Sequence, residues 1–137
     1  LPVFRTAAKA FNFIKVDRKN TNDMKSITAQ AKRIFQNKWS IMIYPQGTRT
    51  DKNENFIFKK GAFLIAAENN IPILPVVIAG TADIWPKNSN YMNGGNARIH
   101  TFEPIYVPKL SKDETQKFID GIQKMMHNKY LELTKVA

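Results

Sequence analysis

Apolar runs and helical repeats alternate along this chain. That alternation predicts a single α/β domain over residues 1–137, with a largely parallel central sheet flanked by helices. Two further observations support the expectation. The 137 residues suffice for one real core and fall short of two ordinary domains. The 43% hydrophobic and 23% charged composition is that of a globular chain rather than a disordered one.

The elements follow in order. "FNFIKVD" (11–17) alternates as a short strand and leads into Arg18. "RKNTND" is turn-like, and Thr21 or Asn22 can cap the helix that follows. Over 23–37, Met24, Ile27, Ala31, Ile34 and Phe35 recur at helical spacing, with Lys25, Lys32 and Arg33 off that face. "WSIMIY" (39–44) is a continuous apolar run, as a buried strand would be. "KGAFLIAAENN", from Lys60, reads as a buried helix, and "IPILPVVIAG" as a second buried strand ending at Gly80. Residues 81–96 form a long loop rich in Gly and Asn, and 97–107 a strand broken by Pro104. Ser111 and Glu114 have capping-box spacing and open a last helix, with Phe118, Ile122, Met125, Met126 and Leu133 toward the core.

Lys and Arg number 21 against 11 Asp and Glu, a formal charge of +10. Such a surplus attracts polyanions, whether nucleic acid, an anionic membrane or an acidic carrier, without choosing among them. The absence of cysteine removes disulfides, thiolate nucleophiles and Cys-based metal sites. The longest apolar stretch is interrupted by Glu68, Asn69, Asn70 and two prolines, so it falls short of the ~20 residues needed to span a bilayer. The first residue is Leu1, which leads us to expect a processed product or a piece of a longer chain.

Between the 39–44 run and the next helix lies "YPQGTRT" (44–50). In open α/β sheets, ligands bind beyond the carboxyl ends of the strands. Gly47 allows close backbone approach, and Arg49 can hold a phosphate through two parallel hydrogen bonds. Arg18 ends a different predicted strand, and Lys60 and Gly61 open a helix whose N-terminus favours anions. The plainer reading leaves Arg18 and Arg49 as solvated charges.

"YPQGTRT" resembles the Phe-Pro-Glu-Gly-Thr-Arg-Ser block of the glycerophosphate acyltransferases, particularly those acting on lysophosphatidate. "FIKVDR" (13–18) resembles the family's hydrophobic strand ending in Asp-Arg, and "KKGAFLIAAENNIPILPVVIAGT" (59–81) its Lys-x-Gly segment and its Pro-flanked strand followed by Gly-Thr. The strand ending at "EPIYV" and the terminal helix also fall in the family's order. The resemblance implies a glycerol-3-phosphate acyltransferase-like fold and transfer of a fatty acyl group from an acyl thioester, on CoA or acyl carrier protein, to a glycerol-phosphate or lysophospholipid acceptor. No metal or other cofactor is implied. Arg18, Gly47, Thr48, Arg49 and Lys60 would bind the acceptor phosphate. Gln46, Gly61, Ile73, Pro75 and Val76 would shape the site, with a pure core role open for Ile73, Pro75 and Val76. An anionic membrane surface is the expected setting, with the chain peripheral on its cytoplasmic face.

Two departures from the family pattern stand out. Gln46 replaces the usual Glu, keeping a hydrogen-bonding carbonyl without the charge. The family's Asn-His-x-x-x-x-Asp element, in which His takes the acceptor hydroxyl's proton while Asp orients it, is expected upstream of Leu1. His100 has Ile105 five positions on, and His127, which has Glu132, lies on a helix at the wrong end of the order. No catalytic residue is therefore assigned here, and the N-terminal catalytic portion is read as missing. Two other readings remain, a silent phosphate- or headgroup-binding module and a nucleic-acid-binding domain. The latter is disfavoured because no basic residues alternate with aromatics in a known module.

Overall fold

The computed structural model describes Phe13, Ile14, residues 23–48 and residues 57–135. The chain divides into two compact units, Leu1–Met42 and Ile43–Ala137.

In the first unit, helix α1 spans Asp23–Gln36. Ile27 and Ala31, four residues apart on the expected stripe, are buried, while Lys25, Lys32 and Arg33 are exposed. Its end is closed by a Schellman arrangement, in which the Lys38 N–H donates to Phe35 O and the Trp39 N–H to Ile34 O. Lys38 takes the left-handed conformation, φ 58°, that glycine usually supplies.

Residues 39–44 do not form the expected buried strand. Trp39, Ile43 and Tyr44 are exposed, and Met42 is 70% exposed. A strand is secured by its neighbours rather than by its own composition, and no ladder among the described residues includes this run. Of the strand expected over 11–17, only Phe13 and Ile14 are described, and neither is in a strand.

The second unit holds helix α2 (Gly61–Asn69), strand β1 (Val76–Ala79), a single helical turn α3 (Thr81–Ile84), strand β2 (Arg98–Thr101) and the long helix α4 (Lys112–Lys135). Asn70, φ 51°, ends α2 in the same manner as Lys38 ends α1, with the Ile71 N–H donating to Ala66 O. β1 and β2 pair antiparallel, Val76 opposite Thr101 and Ala79 opposite Arg98. A bridge between Ile73 and Ile105 continues the pairing past Pro104. This ladder differs from the largely parallel sheet expected. A parallel return needs a crossover element packed on the sheet face, and the connection from β1 to β2 contains only the turn α3.

Val77 and Ala79 are buried on one face of β1, and α4 packs against this strand. Phe58, Phe63, Ile119 and Ile122 form the core, with Ile73, Ile105, Phe118, Met125 and Met126 around it. Ile119, absent from the sequence expectation, is the most deeply buried large side chain described. The capping box is present: the Ser111 N–H donates to Glu114 Oε2 at 2.9 Å and the Ser111 hydroxyl at 2.6 Å. The Glu114 N–H returns a longer bond to Ser111 Oγ. Among the described residues, no helix is long and apolar enough to cross a membrane.

Candidate functional site

Tyr44 to Gly47 form a tight turn, closed by the Gly47 N–H donating to Tyr44 O at 3.0 Å. Gly47 has φ +71°, a conformation that costs a residue bearing a Cβ. Gln46 and Gly47 are half-buried and Thr48 is exposed. Arg49 lies outside the described residues, as does Arg18.

A second segment holds the turn in place. The Lys59 N–H donates to Pro45 O at 2.9 Å. One residue earlier, the Phe58 N–H donates to Gln123 Oε1 on α4 at 2.9 Å. Phe58 is buried and stacks on Phe63, with centroids 6.4 Å apart. Lys59 lies over the turn instead: its Nζ is 3.1 Å from the position a Cβ on Gly47 would occupy. A Cβ at position 47 would crowd that ammonium, and the lysine side chain would have to shift slightly.

Lys60 sits at the N-cap of α2 with helical backbone angles, and its carbonyl accepts the Leu64 N–H at 3.0 Å. No acidic residue occupies the first turn of α2. The positive end of the helix dipole therefore adds to Lys59 and Lys60 rather than being neutralised. Gly61 is the first residue of the helix. Lys59, rather than the expected Lys60, is the lysine seated at the turn. The Lys-Lys doublet was the sequence signal for it, but choosing between neighbours requires knowing that Phe58 points to the core and so turns Lys59 away from it.

The apolar residues assigned to the site fall into the core layer. Ile73 exchanges two 2.8 Å backbone hydrogen bonds with Ile105 and packs against the Phe58 cluster. Pro75 is buried, and its carbonyl accepts the Phe102 N–H at 3.0 Å. Val76, half-buried, begins β1. Gly80 closes the strand with φ +90°, and a Cβ there would come within 2.3 Å of Asn96 O. The Gly-Thr pair after the apolar strand thus has a steric cause: the loop backbone crosses directly over it.

His100 meets Phe102 edge-to-face at 4.7 Å. Glu132, five residues after His127, accepts a 2.5 Å hydrogen bond from Lys129 Nζ. That bond and the ammonium charge hold the Glu132 carboxyl below its ordinary range.

The Acyltransferase family model matches residues 1–79, more than half of the chain. The chain belongs to the acyltransferase family. The family match runs through the 44–47 turn, α2 and β1 and ends at Ala79, the last residue of that strand. This acyltransferase chain is 32% identical, over its whole length, to a putative 1-acyl-sn-glycerol-3-phosphate acyltransferase, acl-2, of Caenorhabditis elegans, covering 49% of that protein. It is 28% identical to the 1-acyl-sn-glycerol-3-phosphate acyltransferase of Cocos nucifera, over 96% of this chain and 42% of the relative. The crystal structure of the 1-acyl-sn-glycerophosphate (LPA) acyltransferase PlsC from Thermotoga maritima matches with a TM-score of 0.67 and 26% identity, over 79% of this chain and 44% of that one. The acyltransferase chain thus spans less than half the length of each of these relatives.

Proposed function

We propose that this chain forms the acceptor-binding and core portion of an enzyme that acylates a lysophosphatidate-type glycerol phosphate in phospholipid synthesis. The observation that carries the reading is the Lys59 ammonium poised over the Gly47 turn, inside the block that resembles the acyltransferase phosphate site. Its relatives named 1-acyl-sn-glycerol-3-phosphate acyltransferases support the choice of acceptor.

The chemistry is thioester acyl transfer. The acceptor hydroxyl gives its proton to a histidine base and attacks the thioester carbonyl of acyl-CoA or acyl carrier protein. The C–O bond forms, the C–S bond breaks, and the thiolate leaves and takes up the proton. This chain's part is positioning: a phosphate held by Lys59, Arg49, Arg18, Thr48 and the α2 N-terminus fixes the hydroxyl relative to the thioester. Gln46 orients neighbouring groups without a charge to compete with the phosphate. The base is expected from a His-x-x-x-x-Asp element upstream of Leu1. The +10 charge favours peripheral docking on an anionic, cytoplasm-facing membrane surface, worth about 1 kcal/mol per basic side chain near the surface.

Thiol release from acyl-CoA with lysophosphatidate as acceptor, measured on an intact enzyme that carries the histidine base together with this chain, tests the reading. Arg49→Ala is expected to lower kcat/KM about 10- to 100-fold, as the loss of a charge-assisted phosphate contact should, with the melting temperature nearly unchanged. Equal losses of activity and melting temperature would make Arg49 structural. Phosphate binding without thiol release from any acyl donor would leave a silent headgroup-binding module instead.

A further inference from the structure

We propose that the loop between β1 and β2 is a preformed membrane-insertion tip that seats Trp85, Tyr91 and Met92 in the interfacial layer of an anionic bilayer. The inference deepens the proposed membrane setting by naming the surface that makes the contact, and it rests on that reading.

Trp85 is 51% exposed, Met92 68% and Tyr91 81%. All three lie on one short loop held by its own hydrogen bonds. The Trp85 indole N–H donates to Ser89 O at 2.9 Å, and the Ser89 N–H donates to Pro86 O. The Ser89 hydroxyl donates to Tyr91 O at 2.9 Å and accepts the Tyr91 N–H at 3.0 Å. At the base, the Asn93 N–H donates to Ile84 O at 2.7 Å, and the Asn93 side-chain amide donates to Asp83 O at 3.1 Å.

Two consequences make this a lipid-facing tip rather than an ordinary solvated loop. Polar backbone groups and the indole N–H are expensive to carry into an apolar layer unless already satisfied, and several are satisfied here within the loop. The loop is also ordered before it binds, so docking need not supply that ordering free energy. Trp and Tyr are the residues suited to the boundary between headgroups and acyl chains, because each has an apolar body and a polar tip. The segment 85–96 contains no acidic residue and one basic one, Lys87. Its charge, like that of the whole chain, complements anionic headgroups.

The chain has no cysteine, so a single Asn90→Cys label reports on this tip, and a Lys117→Cys label on the exposed side of α4 serves as the reference. Vesicles of phosphatidylcholine with about 30 mol % phosphatidylglycerol provide the surface. The expected result is a blue-shifted, brightened emission from the Asn90 probe and none from the Lys117 probe. The Trp85→Ala/Tyr91→Ala pair should weaken vesicle partitioning about tenfold or more, with the melting temperature unchanged. Vesicle binding unaffected by the pair overturns the tip while the membrane setting stands. Absence of vesicle binding by the unsubstituted protein overturns both. A probe at Asn90 that responds to soluble CoA and not to vesicles would make the loop a donor-nucleotide site and overturn the proposal.

Discussion

The Lys59 ammonium and Gly47 share one small space, with Nζ 3.1 Å from where a Cβ on Gly47 would lie. A positive charge is thereby brought against the 44–47 turn. Lys59→Ala should raise KM for a phosphorylated acceptor about five- to tenfold, the scale of one charge-assisted hydrogen bond in a partly solvated site. Lys60→Ala should have a smaller effect. Steady-state kinetics on both variants decides between them, and a larger effect at Lys60 would return the role to the residue first expected.

The two left-handed glycines should respond differently to alanine. At Gly47 the obstacle is a flexible lysine side chain, so Gly47→Ala is expected to cost about 1–2 kcal/mol, mostly from the backbone conformation. At Gly80 the obstacle is the Asn96 carbonyl at 2.3 Å, which cannot swing away. Gly80→Ala should cost about 3 kcal/mol or more, or prevent folding. Denaturant melts of the two variants would show the order, and equal losses would mean that the loop backbone yields at Gly80.

Lys38 ends α1 in a conformation glycine adopts without strain. Lys38→Gly should therefore stabilise the protein by about 0.5–1 kcal/mol, the strain relieved outweighing the added freedom of the unfolded chain. An unchanged or lowered melting temperature would show that the lysine side chain contributes something at that position.

Strong acid should loosen the start of α4. The Ser111 hydroxyl and N–H, bonded to the Glu114 carboxylate, lower its pKa below the ordinary value. A depressed carboxylate contributes stability above its unfolded pKa and loses it as pH falls through the folded one. Helical signal from the first turn of α4 should thus fade as acid titrates Glu114. Ser111→Ala should remove about 1 kcal/mol at neutral pH and move the Glu114 titration, followed by NMR, back up. A Glu114 that titrates identically in both proteins would dismiss the box as a source of stability.

Local signals in the sequence carried much of this structure. The Ser-x-x-Glu spacing placed the start of α4, and the Ile27–Ala31 repeat placed the buried side of α1, because both depend on neighbours within one or two helical turns. Non-local features were harder to read. The 39–44 run has strand composition but no ladder among the described residues, and the antiparallel return to β2 depends on a connection whose path composition does not specify. Phe118 packs against the core as expected, but its neighbour Ile119 was passed over although it is buried more deeply, since the larger side chain attracts the assignment. In the site, the turn and Gly47 were legible, whereas the choice of Lys59 over Lys60 required the position of Phe58. Arg18 and Arg49, the guanidinium groups on which the sequence argument leaned, lie outside the described residues.

Phe58 and Lys59 donate adjacent backbone N–H groups to different partners, one to Gln123 on α4 and the other to Pro45 in the turn. Any ligand bound at that turn, as proposed for the headgroup phosphate, would therefore also restrain the attachment of the longest helix. Occupancy and cohesion would then form a single equilibrium, and the concentration of that ligand would help set how long each molecule withstands heat and proteases.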